Sequence, residues 1–269
     1  MKRKSFFRMV GLLLAAAFLL CACSDSETES GSSASDLPEI IIGTNNYEPY
    51  SDLSTVMRPV AVEVELAKEA FRRMGYQAVF RNVSLDNRDE LLEQGEVDCL
   101  WSCLMMEGKE KDYQWVGPYL YAGEVVVVRT DSDIRSLSQL AGKRIAVTAG
   151  SESEGYLLRK EYPSMPEIQT VYAFDHMTQA HTSLSKGYSD AVVGLEGEML
   201  PLLESAPGEF QMLPETLAVH PLGIAFVKDY DASFVAVLRE ILEEMKLDGT
   251  TAGIIEKYGM STEIAMGGK

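Results

Sequence analysis

The strongest constraint in this chain is an alternation of short β-branched runs with segments of helical spacing, sustained from Glu39 to Tyr258. Residues 39–43 read as a buried strand ended by glycine, and Asn45, Asn46 and Pro49 mark a loop. Val62, Leu66, Ala67, Ala70, Phe71 and Met74 then recur at helical spacing, with Gly75 as the stop. Strands are predicted at 78–80 and 97–101, with a short helix around Leu91 and Leu92 between them. A continuous apolar strand follows at 124–129, and a second series has strands at 144–148, 168–172, 191–193 and 223–227. Ser151-Glu152-Ser153-Glu154 reads as a capping box that opens a helix, and further helices are predicted at 177–186 and 196–203. Phe234, Val235, Leu238, Ile241, Leu242 and Met245 form an amphipathic helix, and a last helix covers 252–258. This order predicts an α/β fold of mainly parallel sheets with helices on both faces.

Lys2, Arg3, Lys4 and Arg8 precede an apolar run over 9–22. A basic start and a run shorter than the ~20 residues of a membrane-spanning helix predict a secretory signal peptide over 1–22. Leu20-Cys21-Ala22-Cys23 resembles the bacterial lipobox. That resemblance implies a diacylglyceryl group on Cys23 that anchors the chain to the lipid bilayer. Residues 24–36 are Ser, Glu, Asp, Thr, Gly and Ala, too polar and small to build a core, and predict a disordered tether. The expected location is extracytoplasmic, lipid-anchored to the cell membrane.

The formal charge is −17, and loss of the four cations in 1–22 takes it to roughly −21. A surface of that sign repels phosphates, so no nucleic-acid partner is expected. Beside Cys23, export leaves only Cys99 and Cys103. An extended four-residue step spans ~13 Å, beyond the ~4.4–6.8 Å of a disulfide. Two free thiols follow, unless the chain turns sharply after Trp101. His176, His181 and His220 are the only histidines and none has a ligand spacing, so no metal or cofactor is expected. No Gly-x-Ser-x-Gly elbow is present.

Several short segments occur in a telling order: Gly43-Thr44-Asn45-Asn46-Tyr47-Glu48-Pro49-Tyr50, Glu63-Val64-Glu65-Leu66-Ala67, Gly95-Glu96-Val97-Asp98 and Trp115-Val116-Gly117-Pro118-Tyr119. Leu140-Ala141-Gly142-Lys143-Arg144-Ile145-Ala146-Val147, Gly150-Ser151, Asp248-Gly249-Thr250 and Lys257-Tyr258 continue it. Together, over 39–258, they resemble the bacterial extracellular solute-binding proteins of family 3, which serve polar amino-acid ABC importers. The resemblance implies a two-lobed, type II periplasmic-binding-protein fold with two hinge crossovers near 123–130 and 220–223. Lobe 1 would hold 37–122 and 222–269, and lobe 2 would hold 123–221. It also implies a monomer, not an enzyme, that captures a small polar ligand, an amino acid or related carboxylate, for an ABC permease. A ligand-presenting sensor subunit and a dehydratase-like enzyme share the fold and remain open as alternatives.

The resemblance assigns roles at matching positions. Tyr47 falls where the family stacks an aromatic ring on the ligand, and otherwise reads as a surface tyrosine. Ser102 offers a hydroxyl after a strand end, while Trp101 beside it reads equally as ligand contact or plain core. Gly150 and Ser151 sit at a strand-to-helix junction, where helix N–H groups suit a carboxylate. Two positions depart from the family. Lys109 stands where an arginine clamps the α-carboxylate, giving charge without the planar fork. Leu195 stands where an aspartate accepts the α-amino group. Either Glu196 moves in, or the ligand lacks an ordinary amino-acid head.

Overall fold

The computed structural model describes residues 37–45, 62–84 and 86–267. The signal peptide, Cys23, the tether and Tyr47 lie outside the described residues. Strand β1 (Glu39–Thr44) buries Ile40 and Ile42. Helix α1 (Val62–Arg73) carries Glu63 and Glu65 in its first turn and Arg72 and Arg73 in its last, and the charges of Glu65, Arg72 and Arg73 suit the helix dipole. Then come β2 (Gln77–Asn82), α2 (Arg88–Glu93), β3 (Cys99–Leu100) and β4 (Gln114–Arg129). The chain continues through β5 (Arg144–Thr148), α3 (Glu152–Arg159), β6 (Thr170–Phe174) and α4 (Met177–Ser185). It ends with β7 (Ala191–Leu195), α5 (Glu196–Ser205), β8 (Phe210–Met212), β9 (Ala218–Phe226), α6 (Ala232–Leu247), α7 (Thr250–Lys257) and α8 (Thr262–Ala265).

The nine described strands join in the order β2-β1-β3-β9-β4-β7-β5-β6, with β8 on β4. The βα alternation is realised as parallel pairs: β1 with β2 and β3, and β5 with β6 and β7. The long strands β4 and β9 pair antiparallel from Gln114↔Phe226 to Glu124↔Ala218, and β4 also runs antiparallel to β7 and β8. The sheet is therefore mixed, and both long strands extend well beyond the segments predicted at 124–129 and 223–227. The ladder shifts register between Val116 and Leu120 and so takes up Pro118, which has no N–H to give.

Side-chain alternation along β4 explains the layers. Val126 and Val128 face Ile145, Val147, Val193 and Leu157 of α3, whereas Val125 and Val127 face Ala146, Val192, Leu184 of α4 and Met199 of α5. Apolar residues of 40–122 and 222–265, joined by Leu195, form a third cluster around Phe71, Trp101 and Phe226 and a fourth around Val97 and Leu100. The described residues between 37 and 267 form one compact unit, with β4 and β9 common to both halves of its sheet. Helix α8, absent from the sequence expectation, sets Ile264 against Gly123, where a β-carbon would lie 2.7 Å from Ile264 Cγ2. Cys99 and Cys103 are both free thiols, as expected, although the chain does turn after Trp101, at Cys103. No described helix is long and apolar enough to cross a membrane.

Candidate functional site

One wall of the site rests on a buried acid. Glu63, in the first turn of α1, is 1% exposed. Its Oε1 accepts the Cys103 N–H at 2.6 Å and the Tyr119 hydroxyl. Burial pushes its carboxyl up to about 8, so at neutral pH it is held protonated. This contact holds Cys103, three residues beyond β3, in a left-handed turn (φ 52°). Ser102 lies between the strand end and this turn, and Met105 follows it, bridged to Leu222. Lys109 follows on the same loop, its carbonyl accepting the Trp115 Nε1–H at 3.0 Å.

The opposite wall is built where β5 meets α3. Gly150 adopts φ +72°, a left-handed turn that glycine makes without strain. The Ser151 hydroxyl caps α3 by accepting the Glu154 N–H at 3.1 Å. The Glu154 carboxylate reaches back to the N–H of Gly150 at 2.6 Å, one residue earlier than a capping box requires. The N–H groups of Gly150 and Ser151 are thus engaged, the latter with the Thr148 carbonyl at 3.3 Å. Glu152 and Ser153 open α3, and the first N–H groups of a helix lack intrahelical acceptors. Beside them β7 ends at Leu195, whose N–H donates to Glu198 Oε2 at 2.8 Å.

Between these walls lies a cavity of about 370 Å³, within the ~300–1,000 Å³ range of small-molecule sites. It brings together Ser102, Lys109, Gly150 and Ser151, four of the residues singled out in the sequence. Trp101 is not among its lining. That ring is 1% exposed, edge-on to Phe71 at 6.0 Å and 5.1 Å from Tyr119, so the core alternative describes its placement. Glu196 is also outside the lining. It is buried and accepts the Ser261 N–H at 3.2 Å, next to α8, and burial raises its pKa.

Three charged residues in the lining escaped the sequence reading: Arg88, Glu124 and Glu198. The signal for Glu198 was available, because residues three apart on a helix share a face, which sets Glu198 rather than Glu196 beside Leu195. Arg88 opens α2 within the acidic stretch Asp86-Asn87-Arg88-Asp89-Glu90. Its side chain is 15% exposed, its Nε is buried without an acceptor, and its ion pair with Asp89 is a long 3.6 Å contact. A larger cavity of about 740 Å³ lies along β6 and α4, lined by Arg144, Tyr172 and Tyr188. It borders the outermost strand of the sheet, and its one cation is already held by Asp190 at 2.8 Å. The smaller cavity, at the carboxyl ends of β1, β3, β5 and β7, is where open α/β sheets bind ligands.

Residues 40–261 match the bacterial extracellular solute-binding proteins, family 3. The ABC transporter glutamine-binding protein GlnH of Bacillus subtilis is 24% identical over 95% of this chain and 97% of its own length. The histidine-binding periplasmic protein of Salmonella typhimurium is 26% identical over 81% of this chain and 86% of its own. Among solved structures, an ancestral arginine-binding protein bound to arginine is 28% identical, with a TM-score of 0.63 over 82% of this chain and 97% of that one. The mixed sheet, the helices on its faces and the cavity at its strand ends are the type II periplasmic-binding fold of those proteins. This chain belongs to the bacterial extracellular solute-binding proteins of family 3.

Proposed function

We propose that the chain captures an amino acid, or a closely related small carboxylate, outside the cell and hands it to an ABC permease without chemical turnover. The observation that carries this reading is the charge arrangement of the cavity, with Lys109 on the α1–β3 wall and Glu198 on the α3–α5 wall. A zwitterion spans such a pair: its carboxylate meets Lys109 and the start of α3, and its ammonium meets Glu198. Glu198 then supplies the negative charge that Leu195 lacks, and the ligand keeps an ordinary amino-acid head. The names of the relatives, glutamine-, histidine- and arginine-binding, support the ligand class.

In this reading the chain divides into lobe 1 (37–122 and 222–269) and lobe 2 (123–221), a division supported by the grouping of the apolar clusters. β4 and β9 provide the crossovers, and hinge closure covers the ligand. Tyr47 is the residue that the family resemblance assigns to stack on it. Lipidated Cys23 holds the chain at the membrane through the 24–36 tether, as a monomer beside its permease. Calorimetric titration with the twenty standard amino acids tests the proposal. At least one binds with 1:1 stoichiometry, and Lys109→Ala weakens it by ~10–100-fold, the worth of a charged hydrogen bond. A correctly folded protein that binds none of them overturns it.

A further inference from the structure

A set of buried titratable groups adjoins the cavity and has no part in the reading above. His220 of β9 is 2% exposed. Its Nδ1 lies 2.7 Å from Glu107 Oε2, on the loop that carries Lys109. Its Nε2 lies 3.1 Å from Glu124 Oε2, on β4, an ion-pair distance without well-aligned hydrogen-bond geometry. Glu124 is 0% exposed and lines the cavity. It also accepts the hydroxyls of Ser153, in the first turn of α3, and of Tyr162, just beyond α3. The ring of Tyr156 stacks on the imidazole with centroids 5.7 Å apart. His220 therefore faces Glu107 from the loop, Glu124 from β4 and Tyr156 from α3, with Tyr162 and Ser153 behind Glu124. Among the described residues no lysine or arginine is paired with Glu107 or Glu124, so the imidazole is their cation. The three groups do not form a metal site, since no set of His, Cys, Asp and Glu among the described residues converges for one.

Chemistry makes this set dependent on one proton. A neutral imidazole carries no charge and one N–H, whereas the imidazolium pairs its Nδ1 with Glu107 by a hydrogen bond and attracts Glu124 at Nε2 as an ion pair. Only the charged ring serves Glu107 and Glu124 together. A carboxylate as deeply buried as Glu124 is costly without a cation beside it.

We propose that His220, as the imidazolium, is a positioning residue that clasps the two walls of the cavity. One arm holds the Glu107 loop, which carries Lys109. The other holds Glu124 and, through Ser153, the start of α3 next to Gly150 and Ser151. The ligand side of this inference rests on amino-acid capture, while the clasp itself does not. Burial works against the charged ring, but the Glu124 and Glu107 carboxylates outweigh it and raise the His220 pKa above its ordinary value. A raised histidine pKa gives stabilisation that is complete below the unfolded value, ~6.5, and lost as pH rises through the folded one. Ligand affinity through the clasp follows the same sign, and by reciprocity ligand binding raises the His220 pKa.

The test compares full-length wild type with His220→Gln and Glu107→Gln between pH 5.5 and 8.5. The ligand probe is the tightest binder among the twenty standard amino acids. NMR titration of the His220 ring gives its pKa, with and without that probe. We expect wild-type affinity to fall ~10-fold as pH rises, equivalent to a bound-state pKa about one unit higher. His220→Gln sits at the weak limit and loses the part of that fall that follows the His220 pKa, any step at about 8 from Glu63 being common to both proteins, and Glu107→Gln lowers the His220 pKa. Parallel pH profiles in wild type and His220→Gln, or a His220 pKa at or below its ordinary value, overturn the clasp. If His220→Gln does not fold, the Glu107→Gln pKa decides. If no amino acid binds, the capture reading fails alone, and the ligand-free His220 pKa with its Glu107→Gln response still decides the clasp.

Discussion

Glu63 and Cys103 are 40 residues apart in the chain, yet the Cys103 N–H donates to the Glu63 carboxyl at 2.6 Å. A protonated acid inside the α1 wall thereby fixes the backbone that presents Ser102 and Lys109.

That acid gives stability a signed pH dependence. Its pKa rises from an ordinary 4.5 to about 8 on folding because it is buried. Between those values the folded protein holds a proton that the unfolded chain has released, so stability falls as pH rises through the window. Denaturant unfolding of wild type and Glu63→Gln checks this. Wild type loses on the order of 2–4 kcal/mol relative to the variant between pH 5 and pH 8. A difference that stays constant with pH would contradict the protonated state.

Glu198 and Glu196 separate ligand chemistry from support. Glu198 lines the cavity, whereas Glu196 holds the Ser261 N–H. Glu198→Gln weakens amino-acid binding by ~10–100-fold with little change in melting temperature. Glu196→Gln leaves the affinity within about threefold of wild type. Equal losses of affinity in both variants, read by calorimetry, would remove the distinction.

Arg88 bears on ligand selectivity. Its Nε is buried without an acceptor at the edge of the cavity, and an unsatisfied donor there favours a ligand side chain that accepts a hydrogen bond. Arg88→Met reduces affinity for amino acids with carboxylate or amide side chains by ~10-fold and spares aliphatic ones. A uniform effect across the titration panel would count against this role.

Trp101 is a packing residue. Its ring is enclosed by Phe71 and Tyr119, and Trp101→Ala costs about 3–5 kcal/mol of unfolding free energy. Affinity measured below the lowered unfolding midpoint stays within a few-fold of wild type. A loss of binding with stability intact would return Trp101 to the site.

The alternating fold and the parallel pairs were legible because apolar period and glycine stops report local geometry. The lengths of β4 and β9 were not, since β4 carries Pro118 only through a register shift against its partner strand. Ser102, Gly150 and Ser151 could be picked out because they follow strand ends, and strand ends converge in this topology, whereas Lys109, in mid-loop, was reached only through the family resemblance. Trp101 and Ser102 are adjacent in sequence, but only Ser102 lines the cavity, a difference no composition argument resolves. Glu198 was hidden behind Glu196 because a linear count ignores helical facing. The clasp on His220 joins segments 113 residues apart, from His220 to Glu107, and no local pattern announces it.

The most direct measurement is a crystal structure of the purified protein with the amino acid that titrates most tightly. The ligand is expected between the two walls, its carboxylate within hydrogen-bond reach of Lys109 and the start of α3 and its ammonium against Glu198. A ligand seated instead in the groove of Arg144, Tyr172 and Tyr188, or in the same cavity with its ammonium away from Glu198, would contradict it.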